Sequence, residues 1–488
     1  MLFNSLSYMV FLPLVVAAFF ALPQRFRWVC LLAFSYFFYM SWNPNLIVLI
    51  AFTTLTSFVS ARIIESTASR GVARAALVVG IVLSLACLFF FKYFNFFSES
   101  VFALSRMLGF SVQPLTLQLL LPVGISFYTF QTLSYVIDVY KGKLAAERHL
   151  GIYALYVSFF PQLVAGPIER ATALLPQFRM TQHFSSARLS EGLRQIIVGM
   201  FKKVVIADFA AKYVNLVYND ISGFGGLSII LATLLFTVQI YCDFSGYSEI
   251  AIGSAKILGF DLMQNFKSPY FAKSMKEFWR RWHISLSTWF SDYIYIPLGG
   301  SRVSKPRYIF NIILTFLLSG LWHGAAWTFV LWGLYHGVLL AAESFYLKRL
   351  DAYVSALSPR ARSFVNALRT LFTFALVNVG WVIFRANSLA DLGTIFANIT
   401  HGLNVFRLPT YLALIGLTTP AMWMLACMLL FLLVYDAYAY YKESPLCWIV
   451  RQKPAVRYAA YYVLSTAALI GLLSVPIGAA ADFIYFQF

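Results

Sequence analysis

The feature that most constrains this chain is the recurrence of long apolar stretches without a charge, at residues 1–24, 28–61, 107–137, 150–168, 221–242, 308–342, 408–435 and 458–481. About 20 apolar residues in helical form cross the hydrocarbon of a bilayer. Shorter runs at 75–91 and 370–384 reach that length when Lys92, Arg369 and Arg385 extend to the interface along their aliphatic stems. The stretch 28–61 holds two spans divided at the turn signal Ser41-Trp42-Asn43-Pro44-Asn45. The expected fold is therefore all-α, a polytopic membrane bundle of about 10 to 12 spanning helices. Composition agrees. Only 11% of the 488 residues are charged, against about 25% in soluble domains, so the chain cannot dress a globular body in a water-facing shell.

Charge then speaks to orientation rather than to a polyanionic partner. The net charge of +18 would suggest nucleic acid in a soluble protein. In a membrane protein, lysine and arginine collect in cytoplasmic loops, and no nucleic-acid role is expected. Three basic loops are assigned to the cytoplasm: Arg62, Arg70 and Arg74; Lys348, Arg349, Arg360 and Arg362; and Lys442, Arg451, Lys453 and Arg457. Counting spans outward from them puts the N-terminus on the extracytoplasmic side. Residues 1–24 have no basic segment before their apolar run and read as a retained span rather than a signal peptide. The five cysteines form no CxxC pair and no disulfide framework.

Two regions depart from the apolar pattern. Residues 189–220 interleave Arg194, Lys202, Lys203, Asp208 and Lys212 with aliphatic positions, as an interfacial or half-buried helix does. Residues 259–307 are rich in Trp, Arg and Ser and read as a polar re-entrant or interfacial segment within a single membrane domain spanning 1–488. No internal repeat supports an inverted-repeat transporter.

Ionisable groups within spans are costly and become functional candidates. His323, in Gly320-Leu321-Trp322-His323-Gly324, lies in a run with no charge between Arg307 and Glu343. Burial favours a neutral imidazole, the form a general base needs. The alternative is a histidine that hydrogen-bonds between helices. His336, 13 residues on, would face another direction on a continuous helix and reads as packing. The densest polar group runs from Glu277 to Tyr293. As a helix it would align Trp279, His283 and Leu286 and pair Glu277 with Arg281. Its arginines serve either as interfacial anchors or as ligands for a nucleotide-bearing donor. In Tyr241–Ser248, Asp243 either orients a histidine or caps a helix. There is no GxSxG elbow, HExxH or Walker A pattern, and no metal site is expected.

The segments Phe278-Trp279-Arg280-Arg281-Trp282-His283, Asp292-Tyr293-Ile294-Tyr295-Ile296-Pro297-Leu298-Gly299-Gly300 and Gly320–Gly324 resemble the membrane-bound O-acyltransferase family. The nearest branch is the bacterial alginate O-acetylation (AlgI) group, which Tyr241–Ser248 and Val164–Glu169 also resemble. The resemblance implies that His323 is the essential histidine and that His283 is the second polar position. The two would meet in a tunnel through the protein. Trp279, Arg280, Arg281, Trp322, Asp243, Ser245 and Asp292 become candidate tunnel or substrate residues. It also implies acetyl-CoA as cytoplasmic donor, with no bound cofactor, in the bacterial inner membrane. The acetyl group would pass to an extracytoplasmic partner of the SGNH-hydrolase type, which esterifies an exported polysaccharide such as alginate or cellulose. Peptidoglycan O-acetylation and teichoic acid D-alanylation stand as alternatives within the family, and a non-catalytic transporter or flippase as one outside it.

Overall fold

A computed structural model describes residues 1–110, 113–164 and 166–474, and the regular structure among them is helical throughout. The contacts group the chain into two compact units: Met1–Ile196 with Tyr247–Met263, and Ile197–Gly246 with the chain from Gln264 onward.

The first unit opens with α1 (Leu6–Ala21), α2 (Gln24–Met40), α3 (Ile47–Ser66) and α4 (Arg70–Leu88). Their boundaries follow from local chemistry. Ser5 and Ser69 accept from the backbone N–H three residues on, capping α1 and α4. Pro23 separates α1 from α2. The expected division of 28–61 falls where the Asn43 side chain accepts from Asn45 N–H and turns the chain. α5 (Ile125–Tyr140) follows Gly124, whose φ is +73° and where a Cβ would stand 2.5 Å from the Leu163 carbonyl oxygen. The stretch 150–168 gives α6 (Leu150–Ser158) and then a single helical turn, Phe160–Leu163, because the chain breaks out of helical geometry at Phe159 and Pro161 opens the new turn.

α7 (Ser186–Met200) belongs to the first unit as far as Ile196 and then, in the second, runs into a wide π-type turn, Phe201–Ala207, and α8 (Asp208–Tyr218). The expectation of a half-buried helix undershoots here: Lys202 and Lys203 are 2% and 1% exposed. Lys203 can be buried because its ammonium lies 2.8 Å from Asp208 and 2.6 Å from Asp243. Asp243 sits on α9 (Gly226–Ile257), which belongs to this unit as far as Gly246. Two short helices follow, α10 (Met275–Arg281) and α11 (Ile284–Phe290). Then come α12 (Lys305–His323), α13 (Trp327–Ala356), α14 (Pro359–Arg385), α15 (Thr419–Tyr441) and α16 (Pro454–Leu473).

Among the described residues, seven helices are long and apolar enough to cross a membrane: Pro44–Ser66, Arg70–Met107, Gly226–Ile257, Trp327–Ala356, Pro359–Arg385, Thr419–Tyr441 and Pro454–Leu473. The protein is multi-pass. Other apolar stretches become shorter helices, as in α1, α2 and α5 with 16, 17 and 16 residues. The run 308–342 is a hairpin of α12 and α13, not one helix. The expected span 458–481 is helical through Leu473, and residues 475–481 lie outside the described part.

Glycines close that hairpin. A Cβ on Gly320 would stand 2.2 Å from the Phe329 carbonyl oxygen, and one on Gly333 the same distance from that of Phe316. This is the small-residue contact that lets helices in lipid pack backbone to backbone. It fixes the end of α12, and with it His323.

Candidate active site

His323 is the last residue of α12 and is 3% exposed. The helix stops because Gly324 turns extended and packs under Phe329, whose ring carbons would lie 2.1 Å from a Cβ there. The imidazole is ringed by Trp322, Trp332 and Phe384 at centroid distances of 5.1, 4.9 and 5.5 Å, all edge to face. Its place at a helix C-terminus matters. The free carbonyls there favour positive charge, which an imidazole acquires on taking a proton.

His283 arrives by a different route from the expected continuous helix. α10 ends at Arg281, and His283 itself adopts φ +44° and ψ +55°, in the left-handed region, before α11 begins. Trp279, His283 and Leu286 therefore do not share one helical face. An L-residue there carries strain of about 1–2 kcal/mol, which persists only where its surroundings hold it. Asn265 does the holding. Its carbonyl accepts from Ile284 N–H at 3.0 Å, and its Oδ1 accepts from the Ser285 N–H at 3.2 Å and hydroxyl at 2.6 Å. The result aims a fully buried ring at Phe244, 4.5 Å away, and Trp322, 5.8 Å away. Burial favours the neutral form of an imidazole.

The two imidazole centroids are 6.3 Å apart. A single oxygen within about 3 Å of each ring would bridge a gap of this order. The structure thus brings His283, His323 and Trp322 together, although His283 lies in the turn between α10 and α11 and His323 ends α12.

The other candidates divide. Asp243 faces Lys203, and the neighbouring Tyr241 donates to Asp436 at 3.0 Å while packing against Trp282. This ion pair and this hydrogen bond hold the stretch of α9 from which Phe244 meets His283. Ser245 is buried on the same helix, and Asp292 is half-buried in the π-type turn Ser291–Tyr295. Arg281 pairs with Glu277 at 2.9 Å, as the spacing suggested, and lies over the Tyr440 ring. Arg280 is exposed and lines two adjoining cavities.

One is a vestibule of about 610 Å³ whose lining sets Lys267, Lys273, Lys276, Arg280, Arg281 and Arg369 against only Glu277 and Asp351. The other, about 450 Å³, shares Lys276 and Arg280 with it and is otherwise mostly apolar: Ile284, Leu286, Phe290, Ile312, Phe316 and Leu340, with Trp279 and Ser319. Ser319 and His323 lie four residues apart, one above the other on α12. A charged approach thus leads into an apolar slot that stops about one helical turn, roughly 5–6 Å, short of the imidazole. Glu343 of α13 secures the element carrying Trp279 and Arg280, accepting from Met275 N–H at 2.9 Å and Lys276 N–H at 2.8 Å.

Sequence reasoning missed Asn265, the carboxylate of Glu343 and the walls Trp332, Trp381 and Phe384. Nothing local marks them, since each acts on a residue distant in the chain. His336 proves to touch the edges of Trp332 and Trp279 at 4.8 and 5.1 Å, on a helix separate from that of His323.

The structure buries an imidazole pair in an all-helical membrane body, about one helical turn beyond an apolar slot that adjoins a cationic vestibule, an arrangement suited to intramembrane acyl transfer. Residues 149–379 match the model of MBOAT, the membrane-bound O-acyltransferase family. The chain is 42% identical over 392 residues to the probable alginate O-acetylase AlgI of Azotobacter vinelandii, covering 80% of this chain and 76% of that one. It is 40% identical over 395 residues to the probable alginate O-acetylase AlgI of Pseudomonas putida, covering 80% and 78%. It is 35% identical over 421 residues to the peptidoglycan O-acetyltransferase of Helicobacter pylori, covering 80% and 78%. The chain belongs to the membrane-bound O-acyltransferase family, and it is an acyltransferase.

Proposed function

We propose that this protein takes an acetyl group from cytoplasmic acetyl-CoA and delivers it across the bacterial inner membrane to an extracytoplasmic partner of the SGNH-hydrolase type, for O-acetylation of an exported polysaccharide of the alginate kind. The observation that carries this reading is the cationic vestibule and the apolar slot that share Lys276 and Arg280 and point along α12 to His323. Phosphates of the donor engage Lys276 and Arg280 as charge-assisted contacts. The pantetheine arm occupies the slot, and the thioester reaches the imidazole pair. With the basic loops on the inner side, the N-terminus lies outside.

In the transfer step, the acceptor hydroxyl approaches from the other side of the membrane and gives its proton to His323 as its oxygen bonds to the thioester carbon. His283, neutral and held by Asn265, donates to the developing oxyanion. The carbon–sulfur bond then breaks, and the leaving thiolate takes the proton back from His323. The helix C-terminus offsets the charge His323 carries meanwhile. The indole and phenyl rings keep water from the thioester, so that acyl transfer outruns hydrolysis.

An acetyl group suits these walls better than an aminoacyl group does. An ammonium in the slot would need an acceptor, and both oxygens of Glu343, the carboxylate in its lining, already accept backbone N–H groups. The test is His323→Ala in the producing cell and in purified form. The variant is expected to insert and fold as the wild type does, while polymer acetylation and thiol release from acetyl-CoA cease. Wild-type levels of either from the variant would refute the assignment.

A further inference from the structure

One edge of the slot is a polar stripe on the helix that ends in His323. Asn311, Thr315, Ser319 and His323 recur at every fourth position of α12, and all four are buried. Residues four apart lie one above the other on a helix, about 6 Å apart along its axis. Thr315 and Ser319 both line the slot, and Ser319 is the α12 residue of that lining nearest in sequence to His323. The Thr315 hydroxyl donates to the Asn311 carbonyl at 2.6 Å, which leaves its lone pairs to accept. Among the described residues, no protein group hydrogen-bonds to the Ser319 hydroxyl. A buried hydroxyl in that state is costly until something bonds to it.

The arm of a CoA thioester repeats with nearly the same period. Four bonds separate the thioester carbonyl carbon from the nitrogen of the first amide, and four more separate that nitrogen from the nitrogen of the second. An extended chain gains about 1.2 Å per bond, so each interval is roughly 5 Å. With the thioester at His323, the first amide comes level with Ser319 and the second with Thr315. We infer that Ser319 and Thr315 form a two-rung ladder that holds the two amides of the donor arm and so sets the thioester in register with His323. This rests on the proposal that an acyl-CoA enters the slot. Ser319 donates to the carbonyl of the first amide or accepts from its N–H, while Thr315, whose proton is committed to Asn311, accepts from the second N–H. Rotation about χ1 takes up the difference of about 1 Å per rung.

The experiment compares acetyl-CoA with a homologue that carries one extra methylene between the sulfur and the first amide. Thiol release is measured for wild type, Ser319→Ala and Thr315→Val, each purified in nanodiscs. The wild type is expected to turn over the homologue at least about tenfold more slowly at saturation, because a held amide puts the thioester of the longer arm out of line by about 1 Å. Alanine favours the helix, and Ser319→Ala strands no protein group, so its losses report on the donor. It should lose about three- to tenfold in kcat/KM on acetyl-CoA, the effect of one neutral hydrogen bond, and should narrow the gap between the two donors at least about threefold. Thr315→Val removes the outer rung, should raise the acetyl-CoA KM by a similar factor, and reports independently if Ser319→Ala does not fold. A gap between the donors that is the same in the wild type and the folded variants would overturn the inference while leaving the donor reading intact. Absence of thiol release from wild type with acetyl-CoA would overturn the donor reading, and this inference with it.

Discussion

The left-handed backbone at His283 makes a prediction whose sign is opposite to the usual one. In an ordinary helical position glycine is less stable than alanine by about 1 kcal/mol. At φ +44° the Cβ of an L-residue costs about 1–2 kcal/mol, whereas glycine pays only the extra freedom of its unfolded chain, about 0.4–1 kcal/mol. His283→Gly and His283→Ala remove the same imidazole and the same contacts with Phe244 and Trp322. Their difference isolates the backbone. His283→Gly is expected to be the more stable by about 1 kcal/mol, read from equilibrium unfolding of both variants in the same mixed micelles. Both should lose thiol release from acetyl-CoA to a similar extent, on the order of 10²–10⁴-fold for a group that assists proton transfer or the oxyanion. Two results would refute the reasoning. If alanine is as stable as glycine, the turn is not strained as described. If either variant keeps more than about a tenth of wild-type turnover, the imidazole is not part of the chemistry.

Asn265→Ala leaves the buried Ser285 N–H and hydroxyl without their acceptor and lets the His283 turn relax; kcat is expected to fall about 10²-fold, as for a displaced reacting group, with the donor KM unchanged in steady-state assays. Arg280→Ala removes an exposed cation shared by both cavities and should raise the acetyl-CoA KM about tenfold or more while flattening its salt dependence, with kcat at saturating donor near wild type. Glu169, in the first unit, is pushed up from 4.5 to about 7 by burial, with the Met263 N–H and Arg170 opposing. The folded state therefore holds this proton more tightly than the unfolded one, and stability falls as pH rises from about 4.5 to 7, by up to about 3 kcal/mol. Glu169→Gln should abolish that slope in unfolding curves taken across the window.

Much of the fold was legible because lipid leaves a coarse signature. Uncharged runs of spanning length showed the helical membrane body, and Gly320 lies where the structure closes two helices backbone to backbone. Three things were hidden for physical reasons. The spacing of Trp279, His283 and Leu286 fits a helix, and a histidine carries no mark that its backbone will turn left-handed; the clamp that forces it sits at Asn265, 18 positions earlier. Lys202 and Lys203 looked like the wet face of an amphipathic helix because charge alone does not say where its partner is. One of the carboxylates that permit Lys203 to be buried, Asp243, is 40 residues on. The break between His323 and Trp327 lies inside one apolar run, where hydropathy cannot tell a single long helix from a hairpin. It became visible only through the contact of Gly324 with Phe329.

The aromatic content acquires a mechanistic meaning from this arrangement. Trp282, Trp332 and Trp381 are each fully buried, and Trp322 and Phe384 nearly so. Trp332 stacks with Trp381 at 6.4 Å, Trp381 lies tilted against Trp282 at 4.9 Å, and Phe384 closes against His323. Rings with two stiff torsions fill volume without the mobility of aliphatic chains. An enzyme that holds an activated ester in mid-membrane must deny it water for as long as the acceptor takes to arrive. It must also keep a transient imidazolium from drifting out of line. Ionic groups near the reaction would hydrate it, and flexible apolar side chains would let it move. Indoles around the imidazoles, with the Lys203–Asp243 ion pair and the Tyr241–Asp436 hydrogen bond set one layer back, meet both demands. This explains why the charged residues that are most deeply buried in the second unit anchor the walls of the site rather than line its floor.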